Sequence, residues 1–139
     1  MNFKKTILML ALVSGMIGAS ALAFSGENKV VVYYFHGTFR CLTCTKMEQY
    51  SREAIENNFK DELASGKLEF KTINVEGEGN EHFVSDYQLY TKTLILSLIR
   101  DGREVKNDNL DKIWEYSRNK QKFTDYVADE LNKFMKGAQ

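Results

Sequence analysis

Residues 29–44 read KVVVYYFHGTFRCLTC and carry the clearest structural pattern in the chain. Its first part, Lys29–Phe35, is a continuous run of β-branched and aromatic residues, which is typical of a strand buried on both faces of a sheet. Gly37 and Thr38 interrupt the run, and a helical pattern follows them. The sequence therefore predicts that the two cysteines lie where a strand gives way to a helix.

The residues after the cysteines repeat at helical spacing. One face of the predicted helix carries Cys44, Met47, Ser51, Ala54 or Ile55, and Phe59. Gly66 ends this region. The next segment, Leu68–Val75, alternates loosely between apolar and polar residues and predicts a second strand.

The middle of the chain predicts a short helix and a hairpin. The helix would span Glu81–Leu89, with Phe83, Tyr87 and Tyr90 as its apolar contacts. Thr93–Ile99 predicts a third strand, which is almost entirely apolar. Asp101-Gly102 is a strong turn signal that pairs this strand with a short fourth strand around Arg103–Val105.

The C-terminal part is helical in pattern and bends around 119–121. One apolar stripe holds Leu110, Ile113 and Trp114, and another holds Phe123, Val127, Leu131 and Phe134. The predicted order is β-α-β-α-β-β-α. This order predicts an α/β domain with a mixed four-stranded sheet and helices on both faces.

The N-terminus has the layout of a secretory signal. Lys4 and Lys5 precede an apolar run, and Ala21-Leu22-Ala23 offers a small-x-small cleavage site. The run is too short and too interrupted for a typical membrane span. We therefore expect residues 1–23 to be removed, residues 24–139 to form one domain without a membrane span, and the protein to be periplasmic or otherwise secreted.

Charge and composition argue against some classes of partner. Loss of Lys4 and Lys5 from 19 basic residues against 19 acidic ones leaves a net charge of −2. Such a balance does not favour nucleic acid or an anionic membrane surface. With 43% hydrophobic residues over the whole chain, the domain can build its core without help from disulfides. We expect a monomer.

The cysteine pair Cys41-Leu42-Thr43-Cys44 is the strongest chemical signal. A bridge across so short a loop adds little to stability, which makes redox work the better explanation for it. Cys41 would lie at the positive end of a helix, which favours a thiolate nucleophile, and Arg40 adds a full charge beside it. Cys44 would then resolve a mixed disulfide formed at Cys41.

Two further side chains are candidates for supporting this chemistry. His36 would either relay a proton or simply cap the strand end. Lys92, in the loop before the third strand, would either face the sulfurs and favour a thiolate or point to solvent. Haem attachment is disfavoured because Thr45 stands where a histidine is needed. A zinc site would need His36 and His82 at spacings unlike a zinc finger, so we expect neither a metal nor a cofactor besides the disulfide.

The order of elements and the position of the cysteine pair resemble the thioredoxin-like superfamily over residues 28–136. More narrowly, Tyr33–Cys44 resembles a group of exported bacterial thioredoxin-like proteins with a YYFHGxxRCxTC signature. That resemblance implies a link to arsenic-resistance operons and to a subunit of a nitrophenyl compound nitroreductase. It also implies a partner protein disulfide or a partner reductase.

The sequence departs from the thioredoxin pattern in three places. The chain has no proline, so the usual cis-proline loop is replaced by Tyr90–Thr93, for which a trans backbone is expected. The first strand, Val30–Phe35, lacks the usual buried carboxylate, so His36 or water would have to accept a proton. Arg40 replaces the usual aromatic residue before Cys41.

Three functions therefore remain open at the level of sequence. The first is an exported thiol–disulfide redox protein that passes electrons to a partner enzyme. The second is a thiol-based binder of Cu(I) or arsenite, since paired thiolates are soft ligands. The third is a non-enzymatic subunit with an inert disulfide.

Overall fold

The computed structural model describes residues 28–138, which fold around a four-stranded sheet in the order β2-β1-β3-β4. The strands are β1 (Lys29–His36), β2 (Leu68–Asn74), β3 (Thr93–Arg100) and β4 (Arg103–Asn109). β1 is parallel to β2 and antiparallel to β3, and β3 is antiparallel to β4. The central position of β1 explains its apolar run, because both of its faces are covered.

One face of the sheet packs against the two long helices, α1 (Leu42–Asn58) and α5 (Lys120–Lys136), which also contact each other. The predicted apolar face of α1 is confirmed, and its buried residues are Cys44, Met47, Ser51, Ala54 and Ile55. The predicted stripe of α5 is also confirmed, with Phe123, Val127, Leu131 and Phe134 buried. A short helix α2 (Lys60–Ala64) follows α1, and Gly66 ends this region with φ +76°.

The other face of the sheet carries an aromatic cluster under the short helix α3 (His82–Asp86). Phe35 lies 5.2 Å from Phe83 and 5.3 Å from Tyr87, ring centre to ring centre. The prediction that Tyr90 joins these contacts is wrong, because its side chain is 93% exposed. The reason is local: the chain adopts a left-handed conformation at Gln88 (φ 51°), so helical spacing does not continue to Tyr90.

The hairpin between β3 and β4 turns at Asp101-Gly102, as the sequence predicts. Both residues have positive φ, 50° and 74°, which a two-residue hairpin turn of this kind requires. β4 is longer than the predicted Arg103–Val105, because its backbone stays paired with β3 as far as Asn109. Every residue of β4 is exposed, so its second half carries no apolar alternation that would have revealed a strand.

The C-terminal helical region is split where a bend was predicted. α4 (Ile113–Tyr116) is a single turn, and α5 begins after Asn119, whose side chain accepts a hydrogen bond from the backbone N–H of Lys122. Leu110 was predicted in a helical stripe; it is buried, but it lies before α4 and donates its N–H to the carbonyl of Leu94.

This strand order, with the first two strands parallel, a terminal hairpin and helices on both faces, is a thioredoxin-like fold. The predicted α/β class is thereby confirmed. The predicted signal segment, residues 1–23, and the cleavage point after Ala23 lie outside the described residues. Across residues 28–138, no helix has the length and apolar character needed to cross a bilayer.

Candidate redox site

The cysteine pair lies at the edge of the sheet where β1 ends, at the start of α1. Cys41 is the N-cap residue of α1, and a disulfide joins it to Cys44 in the first turn. The backbone N–H of Cys44 donates a hydrogen bond to the Cys41 sulfur at 3.1 Å. The sulfur therefore occupies the place of an ordinary capping oxygen, where free N–H groups and the helix dipole favour negative charge.

The two sulfurs differ in their access to solvent. Cys44 is 1% exposed and lies on the buried face of α1, whereas Cys41 is partly exposed. Two large apolar side chains beside Cys41 are also open to solvent, Phe39 at 78% and Leu42 at 75%. An incoming thiol or disulfide can therefore reach the Cys41 sulfur far more easily than the Cys44 sulfur.

A buried tyrosine on β1 contacts the pair from beneath. Tyr34 is fully buried, and its hydroxyl donates a hydrogen bond of 2.7 Å to the carbonyl oxygen of Cys44. Burial raises the pKa of this phenol above its ordinary value, so the hydroxyl stays protonated. The sequence analysis did not identify Tyr34, because a tyrosine within an apolar strand is expected to be an ordinary core residue.

Arg40 is held beside the disulfide by a carboxylate of α1. Its guanidinium forms an ion pair with Glu48, one turn after Cys44 on α1. The other carboxylate oxygen of Glu48 accepts a hydrogen bond of 3.2 Å from the Thr72 hydroxyl on β2. Glu48 thus anchors Arg40 beside the disulfide, and this carboxylate partly offsets the charge that Arg40 brings to the site.

His36, the last residue of β1, contacts its neighbours and Arg40. Its Nδ1 lies 2.8 Å from the carbonyl oxygen of Gly37, and its Nε2 lies 3.4 Å from an Arg40 nitrogen. A carbonyl can only accept and a guanidinium can only donate, which assigns the hydrogen to Nδ1 and the lone pair to Nε2. Among the hydrogen bonds of residues 28–138, His36 makes none to a sulfur.

The loop that leads into Cys41 is held by Glu76, in the loop after β2. The Glu76 carboxylate accepts a hydrogen bond from the backbone N–H of Thr38 at 2.8 Å. Hydrogen bonds from the Thr38 side chain and backbone lower the pKa of Glu76, and the charge of Lys92 acts in the same direction. The sequence analysis did not identify this contact.

A sequence signal for Glu76 does exist. β1 and β2 are parallel, with His36 paired to Asn74, so the loops that follow both strands leave the same edge of the sheet. Thr38 and Glu76 each lie two positions beyond this pair. Gly37 fits the same contact, because a Cβ there would lie 2.9 Å from a Glu76 carboxylate oxygen.

The loop before β3, residues 90–92, lies beside His36 and Glu76. All peptide bonds in residues 28–138 are trans, as expected for this loop. Lys92 lines a cleft of about 170 Å³ together with His36, Glu76 and the exposed Tyr90. The indole N–H of Trp114 donates a hydrogen bond of 2.9 Å to the Lys92 carbonyl and so ties the loop to α4. Sequence reasoning assigned Trp114 only to packing.

The second histidine belongs elsewhere. His82 lies on α3 and its Nδ1 is 2.7 Å from the Asp86 carboxylate, one turn further on. Within residues 28–138, no group of three or more histidine, cysteine, aspartate or glutamate side chains is arranged to hold a metal ion.

Comparison with known proteins gives structural likenesses alone. No protein-family model matches the chain, and no curated protein matches it either. Solved structures similar to it include a thioredoxin from Fasciola hepatica, at 15% identity over 80% of this chain and 82% of that one, with a TM-score of 0.41. A thioredoxin from Trypanosoma brucei brucei gives 16% identity over 77% and 79%, with a TM-score of 0.41.

An oxidised thioredoxin O2 from Arabidopsis thaliana gives 12% identity over 68% of this chain and 74% of that one, with a TM-score of 0.42. Likenesses this distant say nothing about activity. The fold assignment therefore rests on the strand order and register, and the redox chemistry rests on the close Cys41–Cys44 pair at the start of α1.

Proposed function

We propose that the protein is an exported thiol–disulfide redox protein in which Cys41 is the attacking thiol and Cys44 the resolving thiol. The observation that carries the proposal is the contrast between the two sulfurs: Cys41 is partly exposed at the N-cap of α1, and Cys44 is buried. This contrast directs a reaction partner to Cys41. Arg40 supports the site with its charge, and His36 and Lys92 line its edge.

The exchange reaction transfers two electrons without any other cofactor. In the reduced protein, the Cys41 thiolate attacks a partner disulfide, forms a mixed disulfide and releases one partner thiolate. Cys44 then loses its proton and attacks the Cys41 sulfur, which releases the second partner thiolate and forms the Cys41–Cys44 bond. The partner disulfide gains two electrons and the cysteine pair loses them. The reverse sequence, with attack on Cys41, reduces the pair.

The resemblance of Tyr33–Cys44 to exported thioredoxin-like proteins linked to nitroaryl reductases supports a narrower role. We infer that the protein passes electrons to one dedicated partner enzyme rather than to many client proteins. The chain has no proline and β1 has no carboxylate, whereas the general thioredoxin pattern includes both. These departures are compatible with a dedicated partner. In this proposal, the protein works as a monomer in the periplasm after cleavage at Ala23.

The reduction potential of the Cys41–Cys44 pair tests the proposal. Equilibration of the purified protein with glutathione or dithiothreitol buffers should give a value between about −120 and −270 mV, the range of working thiol oxidoreductases. Replacement of Cys41 by serine should abolish exchange. A potential well below about −300 mV would mark the bridge as an inert structural disulfide and would overturn the redox role.

A further inference from the structure

We propose that Tyr34 is a positioning residue for the Cys41–Cys44 pair: its buried hydroxyl holds the carbonyl of Cys44, which keeps the Cys44 N–H directed at the Cys41 sulfur. The proposal rests on the redox function proposed above and extends it to a residue on the sheet. Tyr34 does not contact either sulfur through a hydrogen bond in residues 28–138, so it would act through the backbone of Cys44.

The backbone of Cys44 is fixed at both of its polar groups. Its N–H donates to the Cys41 sulfur at 3.1 Å, and its carbonyl oxygen accepts from the Tyr34 hydroxyl at 2.7 Å. These two contacts form one chain from the sheet to the reactive sulfur. Movement of the Cys44 backbone relative to β1 would therefore stretch the hydrogen bond from Tyr34 and also shift the N–H that points at the Cys41 sulfur.

The sheet gives Tyr34 the rigidity that such a role needs. Its backbone is paired with Thr72 of β2 on one side and with Leu94 of β3 on the other. Its side chain has no exposed surface, so water does not compete for the hydroxyl. Burial also keeps the pKa of the phenol high, and the hydroxyl therefore remains a donor at every pH at which the pair exchanges.

The expected effect has a definite direction. A thiolate is a stronger hydrogen-bond acceptor than a disulfide sulfur, so the N–H of Cys44 stabilises the reduced pair more than the oxidised pair. Loss of the Tyr34 hydroxyl would weaken that stabilisation. The balanced exchange converts one oxidised glutathione and the two cysteine thiols into two glutathione thiols and the Cys41–Cys44 bond. We expect its equilibrium to shift toward the oxidised protein.

The test compares Tyr34→Phe with Tyr87→Phe. Each variant removes one tyrosine hydroxyl. The hydroxyl of Tyr87 donates to Glu104 of β4, and among the described residues it makes no hydrogen bond to the cysteines. In Tyr34→Phe, the equilibrium constant for oxidation by glutathione should rise by about fivefold, the factor expected for one net hydrogen bond. Alkylation of reduced Cys41 by iodoacetamide at neutral pH should slow by a similar factor. Tyr87→Phe should change neither quantity.

Equal thermal destabilisation of both variants, with unchanged redox equilibrium and alkylation in both, would show that Tyr34 is merely structural and would overturn the proposal. If Tyr34→Phe does not fold, 3-fluorotyrosine at position 34 provides the second measurement. Its more acidic hydroxyl donates more strongly, so alkylation of Cys41 should become faster, and unchanged or slower alkylation would contradict the proposal.

The result also separates this proposal from the proposed function. An inert wild-type pair, with a potential below about −300 mV, would remove the redox role. The positioning effect would still be measured as the difference between Tyr34→Phe and the wild-type protein. A working wild-type pair with no difference between Tyr34→Phe and Tyr87→Phe would leave the redox role intact and remove the positioning role alone.

Discussion

Thr38 and Glu76 are separated by 38 positions in the chain, and the backbone N–H of Thr38 donates a hydrogen bond of 2.8 Å to the Glu76 carboxylate. Asn74 joins the same contact, because its side-chain amide donates to the Thr38 hydroxyl at 3.1 Å. The loop before Cys41 is therefore fastened to the loop after β2. A surface carboxylate thus holds the loop that leads into the cysteine pair.

We expect Glu76→Gln to reduce the acid sensitivity of the protein. The pKa of Glu76 is lowered in the folded protein, chiefly by hydrogen bonds from Thr38, so the unfolded chain binds a proton more readily than the folded one. The stabilisation that Glu76 provides is present above its ordinary pKa and is lost as the pH falls through the lowered value. Melting temperatures measured between pH 6 and pH 3 should fall less steeply in the variant.

Glu78→Gln is the matched control for this experiment, because Glu78 is an exposed carboxylate in the same loop. It should keep the pH dependence of the wild-type protein. The same slope for Glu76→Gln and wild type would show that the Thr38–Glu76 hydrogen bond contributes nothing to stability. Gly37→Ala should behave like Glu76→Gln, since the added Cβ displaces the carboxylate from Thr38.

The Arg40–Glu48 ion pair predicts opposite effects for its two members on the reactivity of Cys41. Arg40→Gln removes positive charge next to the sulfur and should slow alkylation of reduced Cys41 by about two- to fivefold at neutral pH. Glu48→Gln leaves Arg40 without its compensating carboxylate and should speed alkylation by a similar factor. Rates of iodoacetamide alkylation at low ionic strength measure both effects.

Lys136→Gln serves as the control for a change of one charge. Lys136 lines a cleft with Lys29, at the start of β1, so it lies at the end of the sheet opposite the cysteines. Its replacement should leave the alkylation rate unchanged. Slower alkylation in both the Arg40 and the Glu48 variants would mean that the ion pair acts by fixing the loop and not by its charge.

The fold could be predicted from the sequence wherever one local pattern dominated. The apolar run of β1, the helical face of α1 and the Asp101-Gly102 turn each determine their own structure within a few residues. The sequence pattern did not indicate the full length of β4. The second half of this strand is polar, and it is extended only because its backbone pairs with β3. The sequence pattern also misplaced Tyr90, because the reversal at Gln88 uses a residue that carries no turn signal.

The site could be predicted only in part for a similar reason. One short segment of sequence predicts that the cysteines lie at a strand-to-helix junction, and Arg40 belongs to the same segment. The contacts of Tyr34 and Glu76 depend on how separate elements pack against each other. Only the register of β1 against β2, and the packing of α1 on the sheet, bring these groups to the cysteine pair.

The burial of Cys44 predicts that Cys44→Ser traps a covalent intermediate. Attack of the Cys41 thiolate on glutathione disulfide forms a mixed disulfide, and Cys44 is the thiol placed to release it. Mass spectrometry without reductant should find one glutathione on Cys44→Ser and none on Cys41→Ser, since the buried Cys44 sulfur is poorly accessible. Stable glutathionylation of Cys41→Ser and not of Cys44→Ser would reverse the roles of the two cysteines.

The hydrogen bond from Trp114 to the Lys92 carbonyl predicts that Trp114→Phe loosens the loop before β3. Phenylalanine keeps most of the ring but cannot donate, so one tie between α4 and this loop is lost. Because the indole is 39% exposed, water replaces part of the contact, and we expect global stability to fall by no more than about 1 kcal/mol. Amide hydrogen exchange should become faster at residues 90–92 but not in the β1–β3 pairing that follows. Unchanged protection of residues 90–92 in Trp114→Phe would show that this tie does not order the loop.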